Sequence, residues 1–551
     1  MRPSSIKTLS PFLLTTILGL LAPAAGPLAA QETTCRTLTV TNTGSSTVWI
    51  GAAGGSVVPA CVQDGTVCLA DPSRTNATTG KCSCTANDPQ DGNLACPPDS
   101  TPSLDGSSCL CGAKQTCGAK LAGATTACGG SPSRCFWTFP KPTSHGKSSN
   151  PWELMSGESA SFCLARATNW GEKGSVQAPV WWSGGVFGRT GCQDDGTRCA
   201  TGDCTTAAGL KNSNCPAGVG GMNPFAQAEF TLQVNAVDFY DVTVINGIST
   251  AISMTPTGTE AAVPAKADPS YWCKAPGSPP SAPKAEGCSW NVVPTIPNPA
   301  GGSTDQTTLL LHSWLPCDAT KTPSGCPSGF SCTAQFGACY QECSAAKACP
   351  GNLACVDGYC QCSSSSDCAA LGLPSDQQYC GTQFMPGLKT QFMQLCGSFA
   401  GWWSADDFCA LASTYGPLDC QQNLGDGDGA SNTTLQQLFG CTGANAQSCY
   451  QDGAGKNCCG CATDSKNKLA SSWPAAPTGY TCYGNNTTWA SKAQPWLAYL
   501  KQACPSAYTY PYDDATSTFN CSTIASPTFS SPNTESYEIK IWELTAPVAK
   551  R

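Results

Sequence analysis

Forty cysteines constrain this chain more than any other feature, and none of them precedes Cys35. The residues ahead of Cys35 have a different character. Arg2 and Lys7 are followed by an apolar stretch from Phe12 to about Ala25, then by small residues up to Ala30 before the polar Gln31. That order is a secretory leader over residues 1–30, with the mature protein expected over residues 31–551. Secretion decides how the thiols are read, because an even number of cysteines in an oxidising compartment implies a disulfide framework. A zinc reading needs a reducing compartment and usually histidines, and the chain has only His145 and His312. No metal and no cofactor are therefore implied. No later run is long and apolar enough to span a bilayer, so a released, extracellular protein without a membrane anchor is expected.

Formal charge is −8 and only 12% of residues are charged, against a usual fraction of about 25%. A nucleic-acid partner would need a basic footprint, and the chain has none. Abundant Gly, Pro, Ser and Thr point to short strands, many turns and long stapled loops. Two cysteine-rich blocks stand out, at residues 61–135 and 273–482. The first has almost no apolar periodicity and depends on its bridges for stability. Within the second, the short repeated spacing from Cys326 to Cys362 is that of a small disulfide knot. Beyond it, Trp496, Leu497, Leu500 and Ala503 fall at helical spacing, with Pro495 suited to the first turn. Sequons at Asn76, Asn432, Asn485, Asn486 and Asn520 are candidate glycosylation sites.

Strand-like runs are scattered over residues 37–42, 46–50, 180–190, 228–246, 250–255 and 536–543. The most informative is AEFTLQVNAVDFYDVTVING, residues 228–247. Phe230, Leu232 and Val234 alternate, as do Tyr240, Val242 and Val244, which is the period of half-buried strands. Glu229 and Asp241 therefore point away from the apolar faces. A turn centred on Asn235 would set them opposite each other with Cα atoms about 4.5 to 5.5 Å apart. A solvated sheet face would carry such acids without any function, whereas two facing carboxyls repel and so suggest a site. The last run, SYEIKIWEL, alternates Tyr537, Ile539 and Ile541 but has no nearby strand to pair with. It is expected to return to the N-terminal sheet, giving one antiparallel β-sandwich with the cysteine-rich blocks as insertions. Independent domains are the rival architecture.

Seven stretches then appear in a telling order: WELMSGESASF (152–162), WWSGGVFGRTGC (181–192), CATGDC (199–204), AQAEFTL (226–232), DFYDVTVINGISTAISMTP (238–256), NCCGC (457–461) and LKQACPSAYTYPYDDATSTFNC (500–521). The chain resembles the thaumatin-like, or osmotin-like, family in these segments. The resemblance implies a mainly β fold, an antiparallel sandwich with disulfide-rich loop subdomains, and an acidic cleft lined in many members by one Arg and four acids. Residue by residue, it implies that Glu229, Asp241 and Asp514 line the cleft. Gly185 stands where the family has its Arg, and Asn246 stands where it has another Asp. The family's bridge between its chain ends would fall on Thr43 or Gly44 and on Trp542, so it is missing at both ends. CATGDC is read as a disulfide-stapled turn.

Some members of that family bind β-1,3-glucans and some are reported to hydrolyse them. Hydrolysis needs one carboxylic acid to protonate the leaving oxygen and one carboxylate as nucleophile or base. Glu229 and Asp241 are the candidate pair, with Asp514, Asn246 and Tyr240 as further ligand contacts. Phe239, Tyr508, Tyr510 and Tyr512 are other candidate sugar platforms. The leading expectation is a secreted, monomeric protein, possibly in defence against fungi, that recognises a cell-wall β-glucan through the cleft. An endo-β-1,3-glucanase using Glu229 and Asp241 is one alternative. An inhibitor or interaction module that works through the cysteine-rich insertions is another.

Overall fold

A computed structural model describes residues 35–54, 139–165, 180–204, 215, 220–297 apart from 235, 266 and 281–286, 303–411 apart from 306 and 386, 414–415, 418–424, 433–442, 459, 489–528 and 531–547. It also gives the backbone of short strand segments between residues 56 and 137. The leader over 1–30, the side chains of the 61–135 block and the sequons at Asn76, Asn432, Asn485 and Asn486 lie outside the described residues.

The sandwich is built from β1 (Cys35–Asn42), β2 (Val48–Gly54), β3 (Glu153–Leu154), β4 (Ser159–Ala165), β5 (Val180–Arg189), β6 (Gln227–Gln233), β7 (Asp238–Thr243), β8 (Thr250–Pro256), β9 (Phe519–Cys521) and β10 (Tyr537–Glu543). One sheet has four strands in the order β4–β1–β10–β8, and the other has six in the order β9–β7–β6–β5–β2–β3. Alternation in the sequence produces the core. Leu38, Val40, Phe162, Ile539 and Ile541 from the smaller sheet are fully buried with Trp182, Val186, Val242 and Tyr240 from the larger.

The C-terminal run returns to the N-terminal strand, with Leu38 opposite Tyr537 and Val40 opposite Ile539. This pair is parallel inside an otherwise antiparallel sheet. The two terminal strands can share a direction because the rest of the chain serves as their crossover. A buried ion pair fixes the junction. Arg36 Nη1 donates to Asp238 Oδ1 at 2.9 Å, and Tyr537 Oη donates to Asp238 Oδ2 at 2.8 Å. One carboxylate thus ties both terminal strands to the start of β7.

The start of the second cysteine-rich block is joined to the C-terminal segment by Cys273–Cys521 and Cys288–Cys504. Bridges from Cys317–Cys332 to Cys368–Cys396 are local and staple a compact subdomain. The strands Leu311–Trp314, Tyr379–Phe384 and Phe392–Trp402 close into a small three-stranded sheet beside it. Three groups of cysteine sulfurs in this region, one of them Cys317, Cys326 and Cys339, lie within 4.8 Å of one another, and every sulfur in them belongs to a disulfide. CATGDC is stapled by two disulfides to its flanks, Cys199 to Cys192 and Cys204 to Cys215.

The helix Gln494–Ala503 buries Trp496, Leu497 and Leu500, with Pro495 in its first turn. Its Lys501 is fully buried. The ammonium donates to Asp513 Oδ2 at 2.7 Å, Ala507 O at 2.9 Å, and Thr516 Oγ1 and Ser517 Oγ at 3.0 Å. A buried charge with this many acceptors pins the 507–517 loop that carries Asp514. Among the described residues, no helix is long and apolar enough to cross a membrane.

Candidate functional site

The pleat of the six-stranded sheet sorts its residues between two faces. In β6, Ala228, Phe230 and Leu232 point inward, while Gln227, Glu229 and Thr231 point outward. In β7, Tyr240 and Val242 are buried and Phe239 and Asp241 face outward. The antiparallel register sets Glu229 opposite Asp241. On its other side Glu229 is opposite Gly185 of β5. A transverse row Gly185–Glu229–Asp241 therefore crosses the outer face, with two acids side by side and no side chain at its third position.

Gln227 closes the space at Gly185. A Cβ built at Gly185 would lie 2.7 Å from Gln227 Oε1 and 3.4 Å from Glu229 Cγ. Gln227 Nε2 donates to Glu229 Oε1 at 2.6 Å, so an amide serves the acid from that side. Burial pushes the Glu229 carboxyl up to about 7. Asp241 is pushed well above the usual carboxylate range, by burial first and then by the charges of Glu229 and Asp514. Its Oδ1 is buried with no hydrogen-bond partner among the described residues.

Asp514 reaches the same face through Tyr508. The Tyr508 amide donates to Val242 O, and the Val244 amide donates to Tyr508 O, each at 2.8 Å. This extends the edge of the sheet. Tyr508 Oη then donates to Asp514 Oδ1 at 2.9 Å. Asn246 sits beyond the row, in the turn after β7, where its carbonyl accepts from the Phe225 amide at 2.9 Å.

Tyr240 does not belong to this face. It is in phase with Val242 and therefore lies in the core, fully buried, with its ring 5.1 Å from that of Tyr537. Its hydroxyl donates to Lys274 O at 2.6 Å. Tyr510 is likewise buried, whereas Phe239 is 44% exposed beside the acids. Asn520, the one described sequon, pairs with Phe239 in the sheet and donates its side-chain amide to Asp238 O at 3.2 Å.

Sequence reasoning passed over Gln227 and the pair Asp406 and Asp407. These two acids open the helix Ala405–Leu411. Burial raises Asp406 to about 6, and burial followed by the charge of Asp406 pushes Asp407 well above the usual carboxylate range. Asp407 also accepts from Asn223 Nδ2, two residues before the Phe225 amide that holds the Asn246 turn. The adjacent acids in SADDF were the available signal.

Residues 155–415 match the Thaumatin family. Pathogenesis-related protein 5 of Arabidopsis thaliana is 38% identical over 92 residues, which is 16% of this chain and 35% of that protein. A thaumatin-like protein of the same plant is 42% identical over 85 residues, 15% of this chain and 32% of its own length. A glucan endo-1,3-beta-glucosidase of Prunus avium is 36% identical over 87 residues, 15% of this chain and 34% of that enzyme. The chain spans about a third of the length of these curated relatives.

Proposed function

The chain belongs to the thaumatin-like family, and from that premise we propose that it is a secreted protein that binds a cell-wall β-1,3-glucan on the outer face of its six-stranded sheet, with little or no hydrolysis. The row Gly185–Glu229–Asp241 carries this reading. Glu229, Asp241 and Asp514 supply acceptors for sugar hydroxyls, Gln227 supplies an amide, and the exposed Phe239 supplies a flat apolar surface. None of these contacts needs a tuned proton transfer.

The raised Glu229 favours the glucanase as a second reading, because an acid near 7 keeps the proton that a leaving oxygen requires. The partner role is harder to fill. Asp241 is raised as well, so neither member of the pair is a ready carboxylate where the other is a ready acid.

Co-sedimentation with insoluble β-1,3-glucan and a reducing-sugar assay on the soluble polymer test both readings. The wild type should sediment, and Glu229→Gln should weaken binding by about 1 to 3 kcal/mol, the cost of leaving a buried polar partner unsatisfied. Few reducing ends should appear. Sustained turnover that Glu229→Gln abolishes while binding is unchanged would make the enzyme the correct reading.

A further inference from the structure

We propose that the protein carries a second saccharide site, a groove of about 760 Å³ on the outer face of its four-stranded sheet, that takes a neutral oligosaccharide chain. It stands independently of the glucan face proposed above, because that face belongs to the six-stranded sheet and the sandwich core separates the two. Lys540 and Trp542 of β10 alternate with the core residues Ile539 and Ile541 and so point outward. In β8, Ser253 and Thr255 alternate with Ile252 and Met254 in the same way, and the register sets Ser253 opposite Lys540. All four outward side chains line the groove.

The walls are fixed by the fold. On one side the loop 275–279 covers the edge of β8, where the Met254 amide donates to Pro276 O at 3.1 Å and Trp290 Nε1 donates to Gly277 O at 2.7 Å. Gly277 passes so close, at φ +80°, that a Cβ there would lie 2.9 Å from Ser253 Cα. Only glycine fits. On the other side Ser156 Oγ donates to Gly44 O at 2.6 Å, which ties Ser156 to the turn that carries Thr43 and Ser45. Trp290 also meets Trp542 edge to face, with ring centres 6.3 Å apart, and so holds the indole in place.

Hydroxyls dominate the lining. Those of Thr43, Ser253, Thr255, Ser278 and Thr545 have no hydrogen-bond partner among the described residues. Ser253 is only 2% exposed, and its unpartnered Oγ keeps accessible surface, so the hydroxyl opens into the groove. Each hydroxyl can both donate and accept, which matches a polyol. The charges at the groove are already answered within the protein. Lys540 pairs with Glu538 at 3.2 Å, and the Glu543 carboxylate accepts from the Ser45 amide at 2.8 Å, so neither calls for an ion. An extended peptide would need a free strand edge, and Pro276 already takes the Met254 amide of β8. A pyranose chain suits what is left, with hydroxyls at its rim and a flat apolar ring face to lie on the half-buried Trp542. The volume falls within the range of ligand sites, about 300 to 1,000 Å³.

Calorimetric titration with hexasaccharides of β-1,3-linked glucose, β-1,4-linked glucose and β-1,4-linked mannose tests the site. The parent for these titrations is the full chain carrying Glu229→Gln and Asp241→Asn, which disables the acidic face and leaves the groove intact. At least one hexasaccharide should bind this parent with a Kd of about 1 mM or tighter. Adding Ser253→Ala, which removes a hydroxyl that has no protein partner to lose, should weaken that binding about fivefold. Adding Trp542→Leu, which keeps an apolar side chain and removes the ring, should weaken it about tenfold. If the Trp542→Leu protein does not fold, Ser253→Ala decides the matter alone. The proposal fails if no hexasaccharide binds the parent, or if either added substitution leaves the affinity unchanged. Failure of the acidic face would read differently, as a wild type that binds no better than the parent.

Discussion

Replacing Asp241 by Asn should stabilise the protein near neutral pH and flatten the dependence of its stability on pH. In the folded chain Glu229 is held at about 7 against an ordinary value of 4.5, and Asp241 is pushed well above the usual carboxylate range by burial, then by Glu229 and Asp514. Both folded values lie above the unfolded ones, so the native state keeps protons that the unfolded state releases. The stabilising contribution is complete below the ordinary carboxyl range and is lost as pH rises through the window from about 4.5 to 7. For Glu229 alone that window corresponds to about 3 kcal/mol at most, and partial exposure of the side chain brings it to about 1 to 3 kcal/mol. Asn removes the titration of Asp241 and the repulsion on Glu229. Asp241 Oδ1 has no partner to lose among the described residues, and an amide in its place can donate to Glu229. Urea unfolding without reductant, followed by circular dichroism from pH 4 to 7.5, reads the effect. Asp406 and Asp407 are also raised and contribute a slope of the same sign in both proteins, so the difference between variant and wild type isolates the pair. Parallel curves would refute the reasoning.

Asp238→Asn should cost about 3 to 5 kcal/mol in the same unfolding assay, because it leaves the Arg36 guanidinium buried without its counter-charge. A loss below about 1 kcal/mol would mean that the ion pair does not hold the terminal strands as described. Gly185→Arg should bring the Glu229 carboxyl back towards its ordinary range, read as the midpoint of its carbon-13 titration, once Gln227 swings aside to admit the new side chain. An unchanged midpoint would show that position 185 does not act on Glu229.

The acid pair was legible in the sequence because one rule fixes it. Alternation sets the faces of β6 and β7, and a single polar break at Asn235 sets their register, so Glu229 and Asp241 had to meet. The same rule contradicts Tyr240 as a ligand contact. Successive residues of one strand point to opposite faces, so Tyr240 and Asp241 cannot share a side, and choosing the tyrosine by its chemical type ignored its phase. The return of SYEIKIWEL to β1 was legible because an unpaired amphipathic strand needs an edge, but its parallel direction depends on the path of all the intervening chain. Disulfide partners were not legible. Cys199 and Cys204 lie close in sequence, yet they bond Cys192 and Cys215, because bridging requires Cα atoms within about 7 Å and suitable Cβ directions, which spacing does not report.

Gln227 shows most clearly why a site cannot be read from its acids alone. Its role depends on an empty position on the neighbouring strand, and no pattern within β6 reveals that Gly185 will lie beside Glu229. The difference is chemical. A guanidinium at this place would favour the ionised form of Glu229 and draw its pKa down, whereas an amide satisfies one oxygen without supplying charge. Burial then dominates, and both acids of the row stay raised. With Gln227 as its neighbour, the row offers acids and an amide suited to the hydroxyls of a neutral sugar. With Arg at position 185 the same acids would separate into a carboxylate and an acid, so the proposed choice between binding and hydrolysis turns on a residue that carries no side chain.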